Sequence, residues 1–126
     1  MAFNVLIVDD SAVMRAMVIK SLGLCGVPLG EIYQASDGAQ ALRLLQEHRV
    51  DLALVDMNMP VMSGDKLLEH IRQNPETADL PVIVISTESS EARIALIKGR
   101  KAAFVHKPFK PMELRETVLA IMGTKR

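Results

Sequence analysis

The fold is decided by the stretch Val5–Asp10, with the sequence VLIVDD. Its first four residues are all apolar, a pattern typical of a strand that is buried on both faces of a sheet. Two later stretches, Leu52–Asp56 (LALVD) and Val82–Ser86 (VIVIS), repeat the pattern of four apolar residues followed by a polar one. Strands of this kind belong to parallel sheets that helices cover on both sides. The three stretches therefore predict the centre of such a sheet.

Longer amphipathic stretches separate the apolar runs, and two weaker strands complete the alternation. The predicted strands are Val5–Val8, Glu31–Ala35, Leu52–Val55, Val82–Ile85 and Ala103–His106, and the predicted helices are Ser11–Leu24, Gly38–His48, Gly64–Arg72, Glu91–Lys98 and Met112–Met122. Strict strand–helix alternation with right-handed crossovers gives a doubly wound α/β fold, a five-stranded parallel sheet with helices on both faces. No linker-like stretch interrupts this pattern, so residues 1–126 are predicted to form one domain.

Composition argues against several classes of protein. The 126 residues are 49% hydrophobic and 24% charged, which is typical of a folded domain. The 15 basic and 15 acidic residues cancel, so the chain lacks the excess positive charge that binds nucleic acid or membranes without specificity. A lone cysteine cannot form an internal disulfide, and no apolar run is long enough to span a bilayer. We therefore expect a cytoplasmic monomer without a signal peptide.

Polar side chains gather where the predicted strands end. Asp9 and Asp10 follow the first strand, Asp56 the third, Ser86 the fourth and Lys107 the fifth. Ligands of open parallel sheets bind beyond the carboxyl ends of the strands, so these residues are expected to meet at one edge. Carboxylates at close range repel one another unless a cation joins them, and their oxygens suit Mg²⁺. An ammonium beside them suits a phosphate oxygen. The set therefore predicts Mg²⁺-dependent transfer of a phosphoryl group to an aspartate.

Three segments carry a resemblance to a known family. Leu6–Arg15 (LIVDDSAVMR), Asp51–Gly64 (DLALVDMNMPVMSG) and Val105–Phe109 (VHKPF) resemble the receiver domains of response regulators, and most closely the single-domain chemotaxis regulators of the CheY-like group. The likeness extends over essentially the whole chain. It implies a flavodoxin-like (βα)₅ fold with the strand order 2-1-3-4-5, and a role in two-component signal transduction.

The resemblance also implies roles for individual residues at the edge of the sheet. Asp56 would be the phosphoacceptor. Asp9, Asp10 and Asp56, together with the backbone carbonyl of Asn58, would hold Mg²⁺. Lys107 would contact both the phosphoryl group and the Asp56 carboxylate.

Two further residues would connect the phosphorylation site to the rest of the molecule. Ser86 would supply the hydroxyl that moves toward the phosphoryl oxygen, and Phe104 would be the aromatic side chain whose rotamer follows it. Thr87 is a competitor for the first role, but Ser86 occupies the position where the family has its hydroxyl. The family often has alanine at the next position, so Thr87 is a departure that would narrow access to the site.

Two turns also depart from the family pattern. Arg100 and Lys101 stand before the fifth strand, where Gly-Ala is usual. This basic turn fits a solvated loop as well as it fits a surface for an acidic partner. Lys110 precedes Pro111 where threonine or serine is usual, so the last helix is predicted to lack its usual side-chain cap.

The resemblance implies two protein partners and no turnover enzyme. The donor would be a sensor histidine kinase, here a chemotaxis-type kinase, and the downstream partner a flagellar motor switch protein. The chain would catalyse only its own phosphorylation and dephosphorylation. It could also be a stand-alone receiver for another output, a receiver cut from a longer regulator, or a pseudo-receiver that works without phosphate.

An enzyme is the main alternative of a different class. Phosphatases of the haloacid dehalogenase type also use a nucleophilic aspartate and Mg²⁺. Their nucleophile ends the first strand and a second aspartate follows two residues later. Here position 58 is asparagine, and the Asp9-Asp10 pair lies on a different strand from Asp56. The sequence therefore favours the receiver over the phosphatase.

Overall fold

Strands and helices alternate strictly along the chain, as the sequence predicts. The computed structural model describes residues 2–57, 59, 61–87 and 89–123. The strands are β1 (Phe3–Val8), β2 (Leu29–Ala35), β3 (Leu52–Asp56), β4 (Val82–Ser86) and β5 (Ala102–His106), and the helices are α1 (Ala12–Leu24), α2 (Gly38–Glu47), α3 (Gly64–Gln73), α4 (Glu91–Gly99) and α5 (Pro111–Gly123). Among the described residues, none of the helices combines the length and apolar character needed to cross a membrane.

The five strands form one parallel sheet in the order β2-β1-β3-β4-β5, which confirms the predicted fold class and strand order. All five residues of β3 and of β4 are buried, because these strands have neighbours on both sides and helices on both faces. The order changes direction between β1 and β3. The carboxyl ends of these two strands, where Asp9 and Asp56 lie, therefore stand at the switch point at which ligands of such sheets bind.

Each face of the sheet has its own core, because successive side chains of a strand point to opposite faces. Leu6 and Val55 belong to the first core, whereas Ile7 and Leu54 belong to the second. The first core is covered by α2, α3 and α4 through Ala41, Leu67, Leu68, Ile71 and Ile97, and the second by α1 and α5 through Val18, Leu22, Leu114 and Val118. Helices thus cover both faces, which confirms the doubly wound architecture.

The edge strand β2 begins at Leu29, two residues before the predicted start at Glu31. Asn4 accounts for the difference, because its Oδ1 accepts the backbone N–H of Glu31 at 3.0 Å and extends the contact with β1. The side chain of Asn4 passes so close to Gly30 that a Cβ at this position would lie 2.5 Å from Oδ1. A side chain at position 30 would therefore displace the Asn4 side chain from this contact with β2.

Glu113 caps the last helix, which lacks the serine or threonine usual before it. The backbone N–H of Lys110 donates to Oε1 of Glu113 at 2.9 Å, and the N–H of Glu113 donates to the carbonyl oxygen of Lys110, also at 2.9 Å. A glutamate in the first turn that accepts from the residue before the helix is one half of a capping box. Glu113 thus compensates for the missing serine or threonine.

The turn between α4 and β5 is held by Arg72 of α3. Its guanidinium donates to the carbonyl oxygens of Leu80 (2.7 Å), Arg100 (2.7 Å) and Lys101 (3.2 Å). The guanidinium of Arg100 reaches back to α3, where it lies 3.7 Å from a carboxylate oxygen of Glu69. Arg100 is therefore engaged within the molecule, whereas Lys101 is exposed.

Lys101 adopts a strained backbone conformation in this turn. Its φ of 63° lies in the left-handed region that favours glycine. We expect Lys101→Gly to raise the free energy of unfolding by about 1 kcal/mol, measured by urea denaturation. Lys101→Ala removes the same charge but retains the strain, and it should leave the stability nearly unchanged. Equal effects of the two substitutions would mean that charge, and not backbone strain, determines the result.

Candidate functional site

The carboxyl ends of the strands bring three carboxylates together. Asp9 follows β1, Asp10 is its neighbour, and Asp56 is the last residue of β3. One oxygen from each of these side chains lies within 4.8 Å of the others. Asp9 and Asp56 are almost completely buried, with exposed fractions of 5% and 7%, whereas Asp10 is exposed. The cluster therefore forms a pocket that is open to solvent on the side of Asp10.

The start of α1 fixes the aspartate pair. Oδ1 of Asp9 accepts the backbone N–H of Ser11 at 2.9 Å, which closes a tight turn directly after β1. Ser11 is the N-cap of α1, and its hydroxyl oxygen accepts the N–H of Met14 at 3.2 Å. One short stretch thus ends the strand, turns the chain and begins the helix. The carboxylates of the pair are consequently held on rigid elements and not on a long loop.

Lys107 supplies the positive charge of the pocket. Its Nζ lies 2.9 Å from Oδ1 of Asp56 and 3.5 Å from Oδ2 of Asp9. The backbone N–H of Lys107 donates to the carbonyl oxygen of Ser86 at 2.8 Å, which ties the end of β5 to the end of β4. The side chain is largely buried, so its charge acts on the two carboxylates with little screening by water.

The charges in this pocket do not balance. Burial raises the pKa of Asp56 above its ordinary value, although the hydrogen bond and charge of Lys107 lower it and the charges of Asp9 and Asp10 raise it further. Three carboxylates face one ammonium group, so the pocket has an excess of negative charge when all are ionised. A hard divalent cation with oxygen ligands would relieve this repulsion. The donor set therefore fits Mg²⁺, with Asp9, Asp10 and Asp56 as the residues that would hold it.

The family profile of the response regulator receiver domain matches residues 5–119. This chain belongs to the response regulator receiver family. The resemblance inferred from the three sequence segments is thereby confirmed. Membership in this family also decides against the dehalogenase-type phosphatase.

The relatives of this chain include proteins of similar length and a much longer protein. A chemotaxis protein CheY homolog of Campylobacter jejuni strain 81-176 is 32% identical over 123 residues, which cover 96% of this chain and 93% of the relative. The sensor histidine kinase TmoS of Ectopseudomonas mendocina is 36% identical over 123 residues, and the alignment covers 97% of this chain but 12% of that protein. The structure of the chemotaxis response regulator CheY4 of Vibrio cholerae has a TM-score of 0.84 and 33% identity, covering 96% of this chain and 99% of its own.

The residues expected to link the receiver pocket to its surroundings lie on β4 and β5. Ser86 is fully buried at the end of β4, next to Ile85, which pairs with Asp56, whereas Thr87 is exposed. Phe104 of β5 is partly buried and packs against the first core. The carbonyl of Asn58, expected to be a ligand of Mg²⁺, lies outside the described residues.

Gly64 and Arg15 lie within the family-like segments, but the sequence alone predicts no role for either residue. Gly64 begins α3 against the end of β3, where a Cβ would run into the carbonyl oxygen of Asp56. Its N–H donates to the carbonyl oxygen of Met57 at 2.8 Å. A glycine directly before a helical pattern is a signal for such a close approach. Arg15 donates to the backbone of Asp9, a contact that its position on α1 does not reveal.

Proposed function

We propose that this receiver domain accepts a phosphoryl group on Asp56 from a sensor histidine kinase, with Mg²⁺, and that phosphorylation switches its affinity for a protein partner. The observation that carries the proposal is the contact of 2.9 Å between Nζ of Lys107 and Oδ1 of Asp56, within a buried pocket shared with Asp9. A buried carboxylate that is held by one ammonium and flanked by further carboxylates is suited to nucleophilic attack on a phosphoryl group bound to a metal ion.

In the proposed transfer, an oxygen of the Asp56 carboxylate attacks the phosphorus of a phosphohistidine, while Nζ of Lys107 stays in contact with the carboxylate. As the new P–O bond forms, the P–N bond breaks and the donor imidazole leaves with the electron pair. Asp9, Asp10, Asp56 and the carbonyl of Asn58 would hold Mg²⁺, which supplies positive charge for the phosphoryl oxygens. Water later releases phosphate, so the chain turns over no separate substrate.

For the biological role, we propose chemotaxis, with a chemotaxis-type kinase as donor and a flagellar motor switch protein as partner. The support is the pair of CheY proteins of Campylobacter jejuni and Vibrio cholerae, which the chain matches over almost their full lengths. The corresponding proposal for the whole molecule is a cytoplasmic, monomeric, single-domain regulator. The match to a segment of the sensor histidine kinase TmoS favours a second candidate, a receiver that serves another two-component output.

A small phosphodonor tests the phosphorylation step without knowledge of the kinase. The chain is incubated with acetyl phosphate and Mg²⁺ and analysed by intact-protein mass spectrometry. We expect a single added phosphoryl group that is stable to acid and labile to base, as an acyl phosphate is. EDTA should prevent its formation. Absence of this group in Mg²⁺, or equal labelling in EDTA, would contradict the proposed function.

The face formed by α4, β5 and α5 is the output surface that we propose. An open groove of about 570 Å³ crosses this face, and it is lined by Lys98, Lys101, Phe104, Glu116 and Ile121, among others. Phe104 lies both in this groove and against the core beneath α3 and α4. A change at the end of β4 that alters the rotamer of Phe104 would therefore alter the floor of the groove.

Ser86 is expected to connect phosphorylation to this surface. A buried hydroxyl at the end of β4 can form a charge-assisted hydrogen bond to a phosphoryl oxygen on the neighbouring strand, and it thereby leaves space for Phe104. Addition of beryllofluoride should shift NMR signals from Asp56 as far as Ala103–His106. Ser86→Ala should still accept phosphate but lose most of these distant shifts, which corresponds to a coupling of about 1–3 kcal/mol.

Thr87→Ala is the matched control for this experiment, because it removes the adjacent exposed hydroxyl. It should transmit the shifts as the wild type does. If Thr87→Ala loses the distant shifts and Ser86→Ala retains them, the switch hydroxyl is Thr87. If both variants retain them, the proposed coupling through β4 is wrong, whether or not Asp56 is the acceptor.

A further inference from the structure

Arg15 on α1 joins the aspartate pair to the neighbouring strand β2. Its Nη1 donates to the carbonyl oxygen of Asp9 at 2.6 Å, and its Nε donates to Oε1 of Gln34 at 3.0 Å. The N–H of Asp9 donates to the carbonyl oxygen of Ala35 at 3.1 Å. The backbone of Asp9 is thus held on its N–H side by β2, and on its carbonyl side by a side chain of α1 that is itself anchored on β2.

This contact bears on Asp10 through the geometry of the peptide bond. The carbonyl oxygen of Asp9 belongs to the planar group that joins Asp9 to Asp10, so anchoring the oxygen fixes the plane and the direction in which the chain enters Asp10. The carboxylate of Asp9 is already held by Ser11 and Lys107. The side chain of Asp10, by contrast, is exposed, so its placement depends more on the backbone that carries it.

We infer that Arg15 is a positioning residue for the divalent cation site, which fixes the Asp9–Asp10 peptide so that the two carboxylates meet the ion without rearrangement. This inference rests on the proposed function, because the ion is the Mg²⁺ proposed for Asp9, Asp10 and Asp56. Residues outside the ligand shell that orient the ligands commonly determine affinity in metal sites, and their loss weakens binding by about 10- to 100-fold.

Because Arg15 is positively charged, the sign of the change in Mg²⁺ affinity on its removal distinguishes two explanations. A guanidinium near a cation site repels the cation, so on charge alone its removal would tighten the binding of Mg²⁺. If Arg15 instead orients the peptide, its removal weakens the binding even though a repulsive charge has been lost. The two explanations therefore predict changes of opposite sign in the same dissociation constant.

The experiment measures the dissociation constant of Mg²⁺ on the full chain by isothermal titration calorimetry, below the unfolding transition. Arg15→Met retains most of the length but has no donor, and Arg15→Lys retains the charge but not the two-pronged geometry. We expect both to weaken the binding of Mg²⁺ about tenfold. Gln34→Ala, which removes the outer anchor alone, should weaken it less. Lys20→Met removes the same charge from an exposed position of α1 and should leave the constant unchanged.

The same titrations distinguish failure of this inference from failure of the proposed function. Arg15 variants that bind Mg²⁺ as tightly as the wild type, or more tightly, would overturn the positioning role alone. A wild-type chain that binds no Mg²⁺ would overturn the cation site and the role of Arg15 with it. If Arg15→Met does not fold, Arg15→Lys and Gln34→Ala decide the matter. Arg15 variants that lose thermal stability but keep the wild-type dissociation constant of Mg²⁺ would mark Arg15 as merely structural. That result would also overturn the inference.

Discussion

Asp56→Asn is expected to abolish labelling by acetyl phosphate completely. An amide has no carboxylate oxygen that could form an acyl phosphate, and the proposed chemistry uses the neighbouring carboxylates of Asp9 and Asp10 as ligands of Mg²⁺ and not as acceptors. Intact-protein mass spectrometry after incubation with acetyl phosphate and Mg²⁺ measures the result. Stoichiometric labelling of Asp56→Asn would assign the acceptor to another residue and would remove the basis of the proposed transfer.

The same substitution is expected to make the metal-free protein more stable at neutral pH. Burial raises the pKa of Asp56 above its ordinary value of 3.8, so the folded state disfavours the charged form. The stability associated with this group is fully present below pH 3.8 and is lost as the pH rises through the raised pKa of the folded state. Asparagine resembles the uncharged acid and avoids that loss.

Urea denaturation in EDTA measures this effect. The difference in stability between Asp56→Asn and the wild type should be largest at neutral pH and should vanish as the pH falls below the ordinary range of aspartate. Asp37→Asn is the matched control, because Asp37 caps α2 through a side-chain oxygen that asparagine also has. A wild-type protein that is more stable than Asp56→Asn at neutral pH without metal would contradict the prediction.

The sequence predicts the centre of the sheet better than its edges, and the reason is burial. β3 and β4 are buried on both faces, so their apolar runs have no polar interruptions. β2 has a neighbour on one side only, and it contains polar residues, so its first residue is hard to predict from the apolar pattern. The strand pattern also predicts which polar residues lie at the carboxyl ends of the strands. Asp9 and Lys107 come directly after a strand, and Asp56 is the last residue of one.

Contacts between distant residues are what sequence reasoning did not predict. Arg15 meets Gln34, and Arg72 meets the backbone of Arg100, across separations of 19 and 28 residues. No local periodicity specifies such pairs, since each depends on how helices lie on the finished sheet. The cap at Glu113 is a different case, because a glutamate three residues after the residue before a helix is a local signal that the sequence does contain.

Mg²⁺ is expected to stabilise the chain through the three carboxylates. At one hundred times the dissociation constant, a ligand that binds only the folded state raises the free energy of unfolding by about 2.7 kcal/mol. Three clustered carboxylates that face one ammonium give the physical reason, because the ion removes a repulsion that raises the pKa of Asp56. Urea denaturation over a range of Mg²⁺ concentrations measures the gain.

Asp10→Ala should lose most of this gain while the metal-free protein becomes slightly more stable, because Asp10 repels the charge of Asp56 when no ion is present. The curves of stability against Mg²⁺ for the variant and the wild type should therefore cross. Glu47→Ala removes an exposed carboxylate from the end of α2, and it should leave the response to Mg²⁺ unchanged. An unfolding midpoint that millimolar Mg²⁺ does not move, in the wild type and in Asp10→Ala alike, would mean that the cluster binds no ion. The repulsion among its carboxylates would then be offset by positive side chains of the protein, chiefly Lys107, whose Nζ reaches Asp9 and Asp56.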